Sequence, residues 1–375
     1  MKRDTKHSRR SILSFGAKAA AAYGLSSLAA PAIRAAGSTN AACVCLYLLG
    51  GNDSNNMIVP LDSPAYETYA RGRGPLAIPR GDLLSVYSTN ASARFGFHPS
   101  LGGIRDLYSQ GTLAVLANVG RWEGPWNRGQ VRSNPRQLAN DLFLHTGASQ
   151  VRYLPNGYLA VPWAGSGPVS ILQHGVTLAA PDGALVRDFS NSGAALATAF
   201  PRTLIGKRLQ TVAGILKQGD VQQFAFLVPV EGFDTHKDQL ATQAALFTDV
   251  NDAVVAFQNA MNEVGIADRV TLFTQSEFNR ALAPNGKGGT EHGWGGHQLI
   301  MGRSTIGGQV YGQFPSLELG GPDDVGTSGV WIPSTPDVQY AATLARWMGR
   351  TDLNQVPEFA ALRNFADSDL GFLAR

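Results

Sequence analysis

Carboxylates and imidazoles follow the apolar runs of this 375-residue sequence in four short polar segments. The segments are GGND at 50–53, FDTH at 233–236, QSEF at 275–278 and GGTEHG at 288–293. Short apolar runs are typical of buried strands, and parallel sheets bind ligands beyond the carboxyl ends of their strands. Oxygen and nitrogen donors without a thiolate suit a hard or borderline divalent cation such as Zn, Mn, Mg or Ca. The sequence therefore predicts a metal or catalytic centre along one edge of a sheet.

The candidate site residues come from these segments and from one further turn. We expect the metal ligands to be Asp53, Asp234, His236, Glu291 and His292. Glu277 is a candidate catalytic residue at the same edge. Thr146, in the stretch HTGAS, is a candidate nucleophile or an ordinary helix cap. His297 follows closely enough to contact the ligands from behind or to be a further ligand.

Each of these residues also has a purely structural interpretation. Asp53 could cap a helix or form an Asx-turn, and Asp234 could cap the long helix that follows it. Glu277 could pair with Arg280 one turn later. His292 has the weakest structural alternative, because the glycines around it offer little core for an imidazole to pack in. The joint placement after strand ends favours a metal or catalytic centre.

The elements that must position these residues follow from hydrophobic periodicity. Continuous apolar runs predict buried strands at 43–49, 112–119, 169–172, 224–229 and 269–274. Helical spacing predicts helices at 99–110, about 237–264, 338–347 and 358–365. The segment from 120 to 167 has no clear period and is interpreted as a loop-rich insertion. We expect one domain over 37–375, a three-layer α/β/α sandwich with a mostly parallel central sheet.

The two cysteines, Cys43 and Cys45, lie two residues apart in the first strand. Alternation along a strand points both to one face, where a disulfide between them would be strained. We therefore expect two buried thiols and no disulfide framework.

The first 36 residues are typical of a twin-arginine signal peptide. Arg9 and Arg10 precede a mildly apolar stretch that Lys18 and several glycines and serines interrupt. That stretch is a poor membrane span, which needs roughly 20 mostly apolar residues. The sequence predicts export by the twin-arginine translocase, removal of the peptide, a periplasmic or secreted protein and no stable membrane anchor.

The net charge changes once the signal peptide is removed. The whole chain has 31 Lys and Arg against 28 Asp and Glu. The segment 1–36 holds seven of the basic residues and one of the acidic ones, so 24 basic and 27 acidic residues remain in the mature protein. No basic stripe remains to follow a phosphate backbone, so nucleic acid is not an expected partner.

Three longer motifs resemble the bacterial domain of unknown function 1501 family. They are LYLLGGNDSNNMIVP near the start, FGFHPSLGGIRDLYSQGTLAVLANVG in the middle, and FDTHKDQ with VTLFTQSEFNRALAPNGKGGTEHGWGGHQLIMGRSTIGGQVYGQFP towards the end. This family is exported by the twin-arginine route and is grouped with the alkaline phosphatase and sulfatase superfamily. The resemblance implies an alkaline phosphatase-like sheet whose strand ends hold a metal.

The resemblance also implies roles for individual residues. Asp53 matches the metal-binding aspartate after the first strand, and Asp234 with His236 matches a later Asp and His pair. Glu277-Phe278 stands where the superfamily has an Asp-His pair, so one imidazole is missing, which argues for one metal rather than two. His292 matches the last histidine, beside Glu291 in place of an aspartate. The family's Ser-His-x-Asp-Gln segment falls at 144–148, without its serine and carboxylate.

Two functions are therefore expected from the sequence. The first is an exported metal-dependent hydrolase acting on a small phosphate or sulfate ester, with water or Thr146 as nucleophile. The second is a periplasmic binding or assembly protein of the same fold that has lost catalysis.

Overall fold

A computed structural model describes residues 41–122, 124–133, 142–143, 145, 169–171, 177–179, 195–218 and 224–374. The predicted signal peptide and Thr146 lie outside these residues. So does most of the insertion predicted at 120–167, although its described part contains a short helix, Arg128–Ser133.

The described strands are β1 Ala42–Leu48, β2 Ile58–Pro60, β3 Leu84–Ser88, β4 Ala93–Phe97, β5 Leu113–Gly120, β6 Val169–Ile171, β7 Thr177–Ala179, β8 Phe224–Val230, β9 Val270–Ser276, β10 Arg280–Pro284, β11 Thr290–His292, β12 Gly296–Met301, β13 Val310–Tyr311 and β14 Thr335–Pro336. The described α-helices are α1 Ser54–Met57, α2 Ala65–Arg73, α3 Gly102–Ser109, α4 Arg128–Ser133, α5 Leu204–Gln218, α6 Gln239–Val264 and α7 Asp337–Trp347. Short 3₁₀ helices span Gly74–Leu76, Leu353–Gln355 and Pro357–Asn364.

The central sheet is mixed and mostly parallel, in the order β13-β5-β12-β9-β1-β8-β7-β6, with β14 also pairing with β5. Strands β7 and β12 run against the others. In the middle, β1 is parallel to both β8 and β9, and Leu48 lies beside Val230 and Ser276. The carboxyl ends of these three strands therefore meet at one edge, as the sequence predicts.

Both faces of the sheet are covered, which explains why β1 is apolar throughout. Val44, Leu46 and Leu48 pack in a core with α3, α5 and α6. Cys43 and Cys45 point to the other face, where they pack with α7 and the 3₁₀ segments. The two cysteines are free and buried, as predicted. An α/β architecture with helices on both faces of the sheet is thus confirmed.

The sequence did not indicate three features of the fold. The segment 58–97 forms a separate antiparallel sheet, β2-β4-β3. Gly296–Met301 forms an antiparallel strand, β12, which separates β5 from β9. Pro357–Asn364 is a 3₁₀ helix rather than the predicted amphipathic α-helix. In that segment Phe359 and Leu362 are both buried, and a spacing of three puts them on one face of a 3₁₀ turn.

No helix in the described part of the chain is both long and apolar enough to cross a membrane.

Candidate metal centre

The candidate centre lies where β1, β8 and β9 end. The loop after β8 carries Asp234 and His236, and the chain after β9 carries Glu277. A close approach between two of these loops requires Gly50, which has φ +112°. A Cβ atom on Gly50 would lie 2.2 Å from the backbone nitrogen of Asp234. Glycine therefore lets the loop after β1 touch the loop that carries Asp234.

The hairpin of β10 and β11 brings Glu291 and His292 to the same edge. The backbone N–H of Thr290 donates to the carbonyl of Thr235 at 3.2 Å. Next to it, a Cβ atom on Gly289 would lie 2.2 Å from the carbonyl carbon of His236. Backbone contact between hairpin and loop thus fixes the separation of the two histidine-bearing segments.

Three imidazoles surround one carboxylate oxygen, Oδ1 of Asp234. The Nε2 atoms of His236, His145 and His292 lie 3.0, 3.4 and 3.5 Å from it. The Nε2 atoms of His236 and His292 are 3.1 Å apart. Donor atoms of His145, Asp234 and His292 all lie within 4.8 Å of one another. The predicted convergence of Asp234, His236 and His292 is therefore present, and His145 joins them.

The opposite nitrogen of each ring contacts an acceptor. Nδ1 of His292 lies 2.6 Å from the carbonyl oxygen of Phe143. Nδ1 of His236 lies 3.2 Å from Glu291, and Nδ1 of His145 lies 3.1 Å from Glu277. Carbonyl and carboxylate oxygens only accept, so each Nδ1 donates. A neutral ring that donates through Nδ1 has a bare lone pair on Nε2.

These lone pairs and the Asp234 oxygen make an arrangement that fits a cation. Bare nitrogens about 3 Å apart repel each other and a carboxylate oxygen unless positive charge lies between them. Four nitrogen and oxygen ligands about 2.0–2.1 Å from a tetrahedral Zn²⁺ are about 3.3 Å from one another. The contacts around Asp234 and between His236 and His292, at 3.0–3.5 Å, are close to that spacing. His145, Asp234 and His292, whose donor atoms all lie within 4.8 Å of one another, are a donor set that suits a borderline divalent cation.

Arg280 fixes the carboxylate at the centre of the cluster. Its side chain is fully buried, and Nη1 donates to Asp234 Oδ1 at 2.8 Å and to the Gly50 carbonyl at 3.1 Å. Its other nitrogens donate to Thr290. Partial burial works to raise the pKa of Asp234, but the hydrogen bond and charge of Arg280 outweigh burial, so the pKa lies below its usual range. Asp234 is therefore ionised and available as a ligand at neutral pH.

Burial lowers the pKa of the His292 imidazole, although the hydrogen bond to the Phe143 carbonyl partly opposes this shift. The ring also stacks on Phe278, with centroids 4.2 Å apart. His292 is thus held in place by packing and is neutral at pH 7, the form that binds a metal.

Asp53 has a different environment from the one predicted. Its buried carboxylate pairs with the fully buried Arg73 and accepts hydrogen bonds from Gln239 and from the backbone and side chain of Asn55. It also caps α1, as the structural interpretation proposed. Its described contacts connect it to the cluster only indirectly, because Gln239 accepts from Thr290 and Thr290 from Arg280. The described contacts of the Asp53 carboxylate support the edge of the sheet, and none of them is with Asp234 or a histidine of the cluster.

Glu277 and Glu291 each accept a hydrogen bond from a histidine ring of the cluster. Glu277 Oε2 accepts from the backbone N–H of Gly50 at 2.6 Å as well as from His145, and it does not pair with Arg280 as the structural alternative proposed. Glu291 also accepts from Asn285 at 2.9 Å, which lowers its pKa below the usual range together with the nearby His236. Both carboxylates thus orient imidazoles.

Two other histidine predictions have different outcomes. The sequence analysis did not include His145 among the candidate ligands, although the family's Ser-His-x-Asp-Gln segment falls on it. The expected contact of His297 with the candidate ligands is not among its described contacts, which join it to Asn118, Ser54 and Phe314 in the core. Burial lowers the pKa of His297 to about 3.

The hairpin and the β8 loop lie in the part of the chain that matches a known family model. Residues 201–325 match the family model for the protein of unknown function DUF1501. The DUF1501 match supports the resemblance indicated by the late motifs. It contains Asp234, His236, Glu277 and His292, whereas Asp53 and His145 lie outside it. None of the curated proteins compared with the chain matches it.

Proposed function

We propose that this chain is an exported, metal-dependent hydrolase-like protein that acts on phosphate or sulfate esters. The observation that carries the proposal is the approach of three imidazole Nε2 atoms to Asp234 Oδ1 at 3.0–3.5 Å. The fold assigned with it is alkaline phosphatase-like, on the basis of the motif resemblance and the mixed α/β sheet.

The residues that would hold the metal are Asp234, His292, His145 and His236. Glu277 and Glu291 fix the ring orientations of His145 and His236. A divalent cation bound there would act as a Lewis acid on an ester oxygen and would lower the pKa of a bound water. Nitrogen-rich donors favour Zn²⁺ over Mg²⁺ or Ca²⁺, which prefer oxygen ligands.

The open side of the cluster gives access to a substrate. The side chain of Asp234 is 46% exposed, and His145 and His236 are about as accessible. Hydrolysis adds water across the P–O or S–O bond: a monoester releases an alcohol and inorganic phosphate or sulfate, and a phosphodiester releases an alcohol and a phosphate monoester. Thr146 is the alternative nucleophile, one residue after His145.

The number of ligands also supports a second candidate, a binding or assembly protein with a structural metal. Catalytic zinc sites usually have three protein ligands and one open position, whereas structural sites have four protein ligands. Asp234 and the three histidines would together supply four such ligands, although the donor atoms shown to lie within 4.8 Å of one another are those of His145, Asp234 and His292. Such a protein would keep the ion and turn over no ester.

One experiment separates the two functions. Mature protein supplied with Zn, Mn, Mg or Ca is assayed with aryl phosphates, phosphodiesters and aryl sulfates. A hydrolase loses the metal-stimulated rate in Asp234→Asn and keeps it in Asp252→Asn, an exposed acid on α6. No turnover with any metal, from protein shown to contain metal, would favour the binding protein. Loss of the rate in Thr146→Ala with metal retained would assign the nucleophile to Thr146.

Export is part of the same proposal. The twin-arginine translocase would carry the folded precursor to the periplasm or the medium, and the mature chain would have no membrane anchor. The paired Arg9 and Arg10 support this route.

A further inference from the structure

A cavity of about 460 Å³ opens beside the candidate metal centre. His236, His292 and Glu291 form the side towards the cluster, while Phe143, Val325 and Val330 are the apolar side chains of the lining. Its volume is within the range of small-molecule sites, which runs from about 300 to 1,000 Å³.

The apolar wall is fixed by packing behind it. Phe143, Val325 and Val330 pack against a small core that includes Trp294 and Ile332. Their exposed surfaces face the cavity as the outer layer of that core. A wall of this kind keeps its shape when a ligand enters, which reduces the entropy lost on binding.

One buried carboxylate organises the loop that carries the two valines. Asp324 is completely buried. It accepts hydrogen bonds from the backbone N–H groups of Gly320, Gly326, Gly329 and Val330 at 2.9–3.1 Å. Val325 N–H also donates to the carbonyl of Val330 at 2.9 Å. The loop is therefore a closed turn whose backbone is fixed by Asp324.

The charge of the lining limits what can occupy the cavity. Glu291 is the acidic residue among the described lining side chains, and it accepts a hydrogen bond from Asn285 at 2.9 Å. The lining contains no lysine or arginine among the described residues. A second anionic group on a ligand would meet a carboxylate and apolar side chains there, without a cation to balance it.

We propose that this cavity binds an uncharged apolar group, aryl or branched alkyl, of a ligand whose oxyanion end faces the metal cluster. The proposal rests on the proposed function and names its substrate class as esters of apolar alcohols or phenols. Val325 and Val330 determine specificity for the apolar group. Asp324 is a positioning residue, since it acts through the loop.

The test compares phenylphosphonate with methylphosphonate, which share an anionic end and differ in the apolar group. Binding to Zn-supplied mature protein is measured by calorimetry. Burying the ring predicts that phenylphosphonate binds about tenfold more tightly or better. Val330→Thr, nearly the same size but polar, should reduce that preference at least about threefold while methylphosphonate affinity stays the same. Val255→Thr, a half-buried valine on α6 outside the lining, should leave the preference unchanged.

The possible results test the cavity proposal separately from the hydrolase proposal. Equal affinity for the two phosphonates, or a preference that Val330→Thr leaves intact, overturns the cavity proposal even if esters are hydrolysed. Failure of both phosphonates to bind metal-loaded protein also overturns it. A clear preference for phenylphosphonate without hydrolysis of any ester retains the cavity and contradicts the hydrolase. Asp324→Asn should weaken the preference in the same direction as Val330→Thr, since the loop loses a charged acceptor of four N–H groups.

Discussion

His236 and His292 bring their Nε2 atoms to 3.1 Å while each ring donates its Nδ1 proton to an oxygen on the other side. In the neutral rings both Nε2 atoms are then lone pairs. Two lone pairs at this distance, with Asp234 beside them, are stable only if a cation or a proton lies between them. Burial lowers the pKa of His292, which disfavours a proton on that ring. A metal ion shared with Asp234 is the cation that we propose for this pair.

The acceptor behind His145 should affect metal affinity without touching the ion. Glu277→Gln keeps the size of the side chain and weakens the acceptor for Nδ1 of His145. We expect Zn²⁺ affinity to fall about 10- to 100-fold, as is usual when such a partner is removed. Competition with a chromophoric chelator measures it. Glu67→Gln, an exposed glutamate on α2, is the matched control. Equal affinity in the two variants would contradict the role of Glu277.

The buried pair of Arg73 and Asp53 should contribute strongly to stability. Both side chains are fully buried, and burial lowers the pKa of Arg73 to about 9. Arg73→Met leaves Asp53 as an unpaired buried charge, which costs about 3–5 kcal/mol in free energy of unfolding. Urea denaturation should show this loss. Arg94→Met breaks the exposed pair with Asp62 and should cost at most about 1 kcal/mol. A similar cost for both variants would show that the buried pair has no special role.

Acid should destabilise the protein through its buried histidines. Burial lowers the pKa of His98 to about 4, whereas an unfolded histidine has a pKa of about 6.5. Well above pH 6.5, His98 is neutral in both the folded and the unfolded state, so it does not change the free energy of unfolding. As pH falls from about 6.5 to about 4, His98 binds a proton in the unfolded state but not in the folded state. The free energy of unfolding therefore falls by up to about 3 kcal/mol.

His98→Asn tests this pH dependence because it removes the titrating group and retains an acceptor for the Ser100 N–H. The free energy of unfolding of the variant should fall less than that of the wild type between pH 6.5 and 4. His297, buried with a pKa of about 3, is present in both proteins, so the difference belongs to His98. Parallel pH profiles would contradict the assignment.

Export can be tested apart from the metal. Replacing Arg9 and Arg10 with lysine keeps the charge and loses the guanidinium groups. Uncleaved precursor should then accumulate in the cytoplasm, which immunoblots of cell fractions detect. Normal processing of the double variant would refute the twin-arginine route. Replacing Lys2 and Lys6 with arginine is the control and should leave processing normal.

The sequence predicted correctly which residues lie at the sheet edge, because the apolar composition of a short segment indicates a buried strand. The apolar run of β1 and the polar residues after β8 and β9 predicted which residues meet at one edge. His145 could not be placed in this way, because its segment has no periodicity and reaches the edge through tertiary contacts with Glu277 and Asp234.

Asp53 is a case in which the sequence predicted the position of a residue but not its ion-pair partner. Its position after β1 was predicted correctly, but its partner was not, since Arg73 lies 20 residues away on a helix in a polar segment. Likewise, the spacing of Glu277 and Arg280 favoured an ion pair between them. In the structure, Arg280 pairs instead with Asp234, 46 residues away. Ion pairs depend on tertiary packing, so residue type and order predict the charges present and not how they pair.

Direct metal analysis of purified mature protein tests the central claim. After equilibration with Zn²⁺ and removal of free ion, elemental analysis should find about one ion per chain. His292→Ala should lose most of that ion and also the metal-dependent rise in melting temperature, because an ion that binds only the folded state stabilises it. His98→Asn, which changes a buried histidine outside the cluster, should retain both. Metal-free wild-type protein, or a His292→Ala variant that retains the full metal content, would contradict the account.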